Sequence, residues 1–439
     1  MQDGRELNLT LDFCLRVGEL LLSSGAGAAD VTATMRSLAW HLGVRHADID
    51  VTFTSLSMSY QPNPEDPLVL QVRTVKQRDI DYEDLTLVDH LVRDVLHDEA
   101  DLHEARARLA QIVSSGHTLP RWAVTLGWGM MAGGFAVQLG GSATVVAGAF
   151  LAAVCIDRLQ LVMARRRLPI FYRQVAGGAV ATLIAVAAAL TPLDVDTSQV
   201  VTANIVMLLA GVGFMGGLQD ALSGFYLTAG ARLTEALLAT AGIIAGVTGG
   251  LTVADVAGVE IGRVEPGAVS LESIPVAVAG GAVCAAAFAF ASYAPRRIIA
   301  PIALVAGVAL AVAETLTVQG FDRAWSVAMA ALFVGLVSYT VAGRMRVPPL
   351  VVVVSAVVPM LPGLSIYRGL TLIGEGKRHT AEGLLAMATA ASVAIALAAG
   401  VILGEYIAQP LKREARRLPQ RLAGPRLVGP LRESRRRGR

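Results

Sequence analysis

Between residues 121 and 410 the chain is a succession of apolar segments, most of them long enough to cross a lipid bilayer as an α-helix. Over the whole chain 54% of the residues are hydrophobic, 16% are charged and the mean hydropathy is +0.57. This composition is typical of an integral membrane protein. Ten membrane spans are predicted, at residues 121–140, 143–157, 174–191, 200–218, 233–253, 274–293, 297–317, 324–342, 349–372 and 383–408.

Charge is distributed unevenly along the chain. Residues 1–120 hold 19 acidic against 10 basic side chains, whereas residues 411–439 hold 11 basic against 2 acidic. Four parts are predicted: a cytoplasmic α/β domain (1–120), a first five-helix membrane half (121–253), a second five-helix half (254–410) and a basic cytoplasmic tail (411–439).

The N-terminal domain has the pattern of four helices and two strands. Helical spacing of apolar residues predicts helices over 7–24, 28–42, 82–97 and 101–115, and β-branched alternation predicts strands over 48–60 and 68–75. Six of the seven histidines lie in this domain, but no pair has a strong metal-ligand spacing, and no serine lies in a nucleophile elbow. The sequence therefore predicts no catalytic residue, no metal and no cofactor.

The basic residues predict the orientation in the membrane. Arginines concentrate in alternate loops, such as residues 158–173, whereas residues 191–199 carry no Lys or Arg. Since cytoplasmic loops are enriched in Lys and Arg, both termini are predicted to be cytoplasmic. The N-terminus also lacks the pattern of a signal peptide, so the N-terminal domain is expected to stay in the cytoplasm. With the predicted spans, this gives a multi-pass protein of the cell inner (plasma) membrane as the expectation.

Two of the predicted spans contain residues that interrupt a helix. The apolar run 200–210 is followed by four glycines in seven residues, Gly211, Gly213, Gly216 and Gly217, and then by Gln219 and Asp220. A second run, 351–370, contains Pro359, Pro362 and Gly363, followed by Tyr367 and Arg368. An interrupted helix is tolerated in a membrane only where it faces protein or a water-filled cavity, so both breaks are predicted to lie at a functional site.

The ten spans divide into five plus five, and an odd number per half inverts the second half relative to the first. Span 4 breaks about 11 residues from its start and span 9 about 10 to 13 residues from its start, which places both breaks roughly 15–20 Å deep. The predicted fold is therefore an α-helical polytopic membrane protein of about ten helices in 5+5 inverted repeats, with a small α/β N-terminal domain. This geometry is typical of secondary transporters.

Candidate site residues cluster at the two breaks. Asp220 or Glu235 is suited to bind an ammonium group, and the broken end of span 9 is suited to bind a carboxylate. Simpler roles stay open: Asp220 at a helix end, Glu235 paired with Arg232, and Arg368 as an interfacial anchor. The candidate residues for substrate binding or coupling are Asp220, Gln219, Arg232, Glu235, Gly216, Gly217, Asn204, Pro359, Pro362, Gly363, Tyr367 and Arg368. Asp157, Glu314 and Asn204 are weaker candidates.

Three segments resemble the threonine/serine exporter family: VRTVKQRDIDYEDLTLVDHLVRDV, GLQDALSGFYLTAGARLTEALL and VVPMLPGLSIYRGL. The resemblance covers nearly the whole chain, in the order cytoplasmic domain, five spans, five spans. The sequence departs from the family pattern after the first helix. Residues 25–31 read GAGAADV, whereas relatives often carry a serine and the sequence Arg-Val-Glu there. The resemblance implies export of threonine and serine driven by the proton motive force, with an antiporter mechanism.

Alternatives from other classes stay open. An exporter of dicarboxylates or other small organic acids would use the same scaffold, a channel would not respond to a protonophore, and a membrane-anchored hydrolase would act through residues 1–118. The expected partners are L-threonine, L-serine, protons and the lipid bilayer. A homo-oligomer is compatible with the sequence, and no nucleic-acid partner is expected.

Overall fold

The computed structural model describes residues 4–75, 80–191, 196–208, 210–256, 258, 271–362, 365, 368–369, 372 and 379–415. The chain divides into two compact units, which are treated separately. One comprises the described residues of Met1–Gly116 and Gln409–Arg439, and the other those of His117–Ala408. The predicted division at residues 120, 253 and 410 stays a prediction.

The first unit combines four helices with a small antiparallel sheet. Its elements are α1 (Gly4–Ser23), α2 (Ala28–His41), β1 (Asp48–Val51), β2 (Ser55–Tyr60), β3 (Val69–Thr74), α3 (Tyr82–Leu96) and α4 (Leu102–Ser115). The strands lie in the order β1-β2-β3, and α1 and α2 pack on the sheet. Gly25 (φ 97°) and Gly43 (φ 88°) follow the ends of the first two helices, in a conformation that favours glycine.

The single strand predicted over residues 48–60 is wrong, because the structure has two strands there. β1 and β2 pair antiparallel with Val51 opposite Leu56, and a tight turn joins them. Thr52 N–H donates to the Ser55 carbonyl (2.9 Å), and Ser55 N–H donates to Thr52 Oγ1 (3.2 Å). Threonine and serine hydroxyls close such turns without the glycine or proline that makes a turn visible in sequence.

The described residues of the second unit form helices joined by short connections, with no strand among them. Its helices are α5 (Arg121–Gln138), α6 (Ala143–Arg165), α7 (Ile170–Ala189), α8 (Thr197–Met207), α9 (Ala210–Leu222), α10 (Tyr226–Val256), α11 (Ile274–Ala291), α12 (Arg296–Val318), α13 (Arg323–Met345), α14 (Pro349–Val357) and the part of α15 (Thr380–Ala415) up to Ala408, and a 3₁₀ turn (Val358–Met360) follows α14.

Seven of the described helices are long and apolar enough to cross a membrane, or eight if α8 and α9 together form one span. α5 is not in this set, and the apolar segment Pro349–Met360 is shorter than a span. Each predicted span overlaps a helix or an interrupted pair of helices. The chain is therefore a polytopic helical membrane protein, and the exact number of ten spans stays a prediction.

Glycines bring several helix pairs into close contact. A β-carbon on Gly134 of α5 would lie 2.9 Å from the Gly280 carbonyl oxygen of α11. One on Gly178 of α7 would lie 2.6 Å from the Ile243 carbonyl oxygen of α10. One on Gly400 of α15 would lie 2.5 Å from a carbonyl oxygen of α13. Small residues at such interfaces allow the backbones of membrane helices to approach closely.

Candidate functional site

The first interruption lies between α8 and α9, whose axes meet at 42°. α8 ends at Met207, and Leu208 closes it by donating its N–H to the Asn204 carbonyl (3.3 Å). The predicted break at Gly211 is therefore displaced: helix α9 has already begun at Ala210 and contains all four glycines. Glycine lowers helix propensity by only about 1 kcal/mol, which packing against another helix offsets.

Three glycines of α9 lie on the face that packs against α10. A β-carbon on Gly216 would lie 3.0 Å from Arg232 Nη1, and one on Gly217 would lie 3.0 Å from Leu233 Cγ. The same row continues at Gly213, opposite Ala236. The function of these residues in the fold is thus to leave room for the side chains of α10, above all for the Arg232 guanidinium.

A tight turn joins α9 to α10 as an antiparallel hairpin. Gly224 adopts φ 88°, and Phe225 N–H donates to the Asp220 carbonyl (2.9 Å), which ends α9. α10 then begins at Tyr226, so Arg232 lies inside the helix. The hairpin therefore places Asp220 and Arg232 opposite each other, although they are twelve residues apart in the sequence.

Asp220 and Arg232 form a buried ion pair. Arg232 Nε lies 3.2 Å from Asp220 Oδ2, and the side chains are 11% and 2% exposed for Arg232 and Asp220. Gln219 is also buried, and Glu235 is half-buried on α10. A paired carboxylate at this depth of burial is unusual on a helix that borders a membrane interior.

Asp220 is distant from the interruption itself. It is the eleventh residue of α9, so the helical rise places it about 15 Å beyond the start of that helix. A single amino acid bound at the interruption cannot span that distance. The two features are therefore separate parts of the candidate site.

One buried amide side chain contacts the end of α8, and a second belongs to the last turn of that helix. Gln174 of α7 donates its Nε2–H to the Leu208 carbonyl (3.3 Å), and Asn204 donates its Nδ2–H to the Val200 carbonyl (2.9 Å). Gln174 is 7% exposed and Asn204 is fully buried. Within the described part of the chain, Gln174 Oε1 and Asn204 Oδ1 accept no hydrogen bond.

The second interruption follows α14, where the 3₁₀ turn Val358–Met360 replaces the next α-helical turn. Pro359 and Pro362 are buried there, and Leu361 N–H closes the turn on the Val358 carbonyl (3.2 Å). Gln138 of α5 donates its Nε2–H to the Pro359 carbonyl (3.0 Å). A glutamine from another helix thus satisfies a carbonyl at each interruption, as the membrane interior requires.

Of the three remaining candidates at the second break, the structure describes one. Arg368 is exposed, and Gly363 and Tyr367 lie outside the described residues. The structure brings Gln138 to the Pro359 carbonyl, and it places the Asp220–Arg232 pair on the α9–α10 hairpin.

Comparison with known proteins decides the family. Two family models for threonine/serine exporters match the chain, one over residues 12–254 and the other over residues 277–407. The first covers more than half of the chain by itself. The chain belongs to the threonine/serine exporter family.

Two relatives of this exporter match over almost all of its length. A protein of Mycobacterium tuberculosis (strain ATCC 25618 / H37Rv) named "Probable threonine/serine exporter" is 35% identical over 431 residues, or 96% of this chain and 81% of the relative. The "Threonine/serine exporter" of Corynebacterium glutamicum is 33% identical over 429 residues, or 96% and 87%. No solved structure matches the chain.

The comparisons confirm the resemblance predicted from the sequence motifs. Together with the apolar helices, they identify the exporter as a multi-pass membrane protein of a transport family, which does not require an enzymatic activity. In the N-terminal unit, burial raises the pKa of the Cys14 thiol to about 12, so this cysteine is protonated at neutral pH and is not a nucleophile.

Sequence reasoning missed both glutamines at the interruptions. Gln138 lies at the end of α5 and Gln174 near the start of α7, far in sequence from the carbonyls that they contact. A polar amide inside an otherwise apolar span was the only available signal. Its partner becomes known only when the helices are packed.

A second buried ion pair joins the first two helices of the exporter's helical unit. Arg121 Nη2 donates to Asp157 Oδ1 (2.6 Å), and Thr125 Oγ1 donates to Asp157 Oδ2 (2.7 Å). Asp157 is 6% exposed, and each of its carboxylate oxygens accepts one of these two hydrogen bonds. Glu314 forms a similar pair with Arg323 (3.0 Å). These pairs support a structural role for Asp157 and Glu314.

Replacing Arg121 by alanine is expected to destabilise the exporter by about 3 kcal/mol, the low end for a broken buried pair, because Thr125 still donates and the arginine is 35% exposed. Arg158→Ala removes an exposed arginine next to Asp157 in the same helix and serves as the control. The measurement is the unfolding midpoint of the purified proteins in detergent. An equal midpoint for both variants would contradict a stabilising role of the pair.

Proposed function

We propose that this exporter moves threonine and serine out of the cell in exchange for protons. The names of the two relatives and the family descriptions support this substrate class. The observation that carries the coupling step is the buried Asp220–Arg232 ion pair in the α9–α10 hairpin. The two interrupted helices support a binding site within the membrane.

The proposed architecture is a pair of inverted repeats of five spans each. The first is built from α5–α10, with α8 and α9 counted as one interrupted span, and the second from α11–α15. Corresponding helices pack in corresponding pairs: α5 with α6 and α11 with α12, α6 with α7 and α12 with α13, α7 with α8 and α13 with α14. The close glycine contacts of α7 with α10 recur between α13 and α15. In each repeat the fourth span is the interrupted one, α8–α9 in the first and α14 with its 3₁₀ turn in the second.

The proposed orientation places both termini in the cytoplasm and the protein in the inner membrane. Its support is the distribution of arginines, which are abundant in residues 158–173 and absent from residues 191–199. In this orientation the hairpin turn at Gly224 faces the cytoplasm, and the export path leads from there past the two interruptions.

Asp220 is the residue that we assign to proton coupling. A buried carboxylate beside a guanidinium stays ionised, and one that is separated from its cation in apolar surroundings takes up a proton. A movement of α9 relative to α10 would therefore exchange the Arg232 contact for a proton. Gly216 and Gly217 border Arg232 and Leu233, so no side chain of α9 at these two positions would hinder such a movement.

Export of preloaded substrate tests the proposal. Cells with and without the exporter are loaded with threonine, serine or succinate, and efflux is followed with and without a protonophore. The exporter is expected to accelerate efflux of threonine and serine, and the protonophore is expected to remove most of this acceleration. Preferential efflux of succinate would favour the dicarboxylate alternative, and efflux that ignores the protonophore would favour a channel.

A further inference from the structure

We infer that Asn204 and Gln174 bind the α-ammonium group of the exported amino acid at the interruption between α8 and α9. This inference rests on the proposed function and assigns a part of its site. It goes beyond the expectation that Asp220 or Glu235 takes this group. The observations that carry it are the two buried amide oxygens and the helix ends beside them.

The two amides are held so that only their oxygens are available to a ligand. The Asn204 nitrogen is engaged by the Val200 carbonyl and the Gln174 nitrogen by the Leu208 carbonyl. Their oxygens are buried, and they accept no hydrogen bond from any described residue. Buried polar atoms of this kind are rare in folded proteins, and strain, a functional role, or a bound water or ion are the established reasons for them.

The position on the helices indicates the chemical class of the ligand. Asn204 lies in the last turn of α8, and Gln174 contacts the carbonyl of Leu208, which closes that helix. The C-terminal end of a helix carries a partial negative charge, which favours a cation with several N–H donors. A primary ammonium group has three such donors and a positive charge, so it matches buried neutral acceptors near the end of a helix.

The other end of the interruption fits the rest of the ligand. α9 starts at Ala210, and the N–H groups of its first turn have no partner within the helix. A helix N-terminus attracts a carboxylate, and Gly211 lets the ligand approach its backbone. A zwitterionic amino acid can therefore place its ammonium at the end of α8 and its carboxylate at the start of α9.

Binding to purified, full-length exporter tests the assignment with three ligands: threonine, 2-aminobutyrate, which lacks the hydroxyl, and 3-hydroxybutyrate, which lacks the ammonium. Asn204→Leu is expected to lower the binding affinities for threonine and for 2-aminobutyrate by the same factor, about tenfold or more. Binding of 3-hydroxybutyrate, measured by competition, is expected not to change. Asn204→Asp keeps an acceptor oxygen and is expected to retain threonine binding.

The control is Thr202→Val, which removes a buried hydroxyl of α8 whose hydrogen bond to the Ser198 carbonyl (2.8 Å) stays within the helix. It is expected to leave binding of all three ligands unchanged. The unfolding midpoint of each variant establishes that it is folded; if Asn204→Leu is not, Gln174→Met provides the same comparison.

Several results would overturn the inference. A loss of threonine binding with 2-aminobutyrate unaffected would mean that the acceptors bind the hydroxyl group. An equal weakening of all three ligands, or none, would mean that the two oxygens hold only water. Failure of the proposed substrate class is a different result, because the unmodified exporter would then bind neither threonine nor 2-aminobutyrate.

Discussion

Replacing Pro359 and Pro362 together by alanine is expected to abolish threonine export without destabilising the protein. Pro359 lies in the 3₁₀ turn that ends α14, and its carbonyl accepts a hydrogen bond from Gln138 of α5. Proline in a helix interior costs about 3 kcal/mol relative to alanine, so the variant can continue α14 through the turn. The Pro359 carbonyl would then bond within the helix, and the interruption that we propose as part of the site would be lost.

The measurement is threonine efflux from loaded cells, together with the amount and the unfolding midpoint of the purified variant. The matched control is Pro301→Ala, which removes a proline inside the uninterrupted helix α12. The control is expected to keep its export activity. Normal proton-driven export by the double alanine variant would contradict a functional role of the second interruption.

Replacing Asp220 by asparagine is expected to uncouple threonine movement from the proton gradient. The pair with Arg232 is buried, and asparagine has nearly the shape of aspartate but no charge and no proton to exchange. Threonine exchange between the two sides of the membrane is expected to continue, since Asp220 lies about 15 Å from the interruption between α8 and α9. Net export against a threonine gradient is expected to be lost.

The pH dependence of threonine movement distinguishes this outcome from a loss of fold. Asp255→Asn is the control, because Asp255 is exposed near the other end of α10. It is expected to keep both exchange and pH dependence. An Asp220→Asn variant whose transport still responds fully to pH would show that another group couples export to protons.

The sequence pattern was sufficient for the class of fold and for most helices, because long apolar segments have few other stable arrangements in a membrane. It placed the first break at Gly211, whereas α9 already includes this glycine. Glycine-rich sequence predicts either a break or a close helix contact, and the choice depends on a partner helix, here α10. Proline acts on its own helix, and the second break was therefore located correctly near Pro359.

Contacts between distant residues were the part that the sequence could not provide. The helical spacing left open an Arg232–Glu235 pair, but it gave no indication of the ion pair between Arg232 and Asp220 that the turn at Gly224 brings about. The two glutamines at the interruptions depend in the same way on how the helices pack. A turn that is closed by a side-chain hydroxyl, such as the one at Thr52, also could not be predicted, because the residues around it have the pattern of a continuous strand.

Proton-driven export is tested most directly with purified full-length protein in sealed liposomes whose lumen is more acidic than the medium. Exchange of protons for substrate predicts that labelled threonine accumulates in the lumen above its external concentration. A protonophore, or the Asp220→Asn variant, is expected to reduce this accumulation to simple equilibration. Threonine that only equilibrates in liposomes with the unmodified protein, whatever the pH difference, would contradict the proposed mechanism.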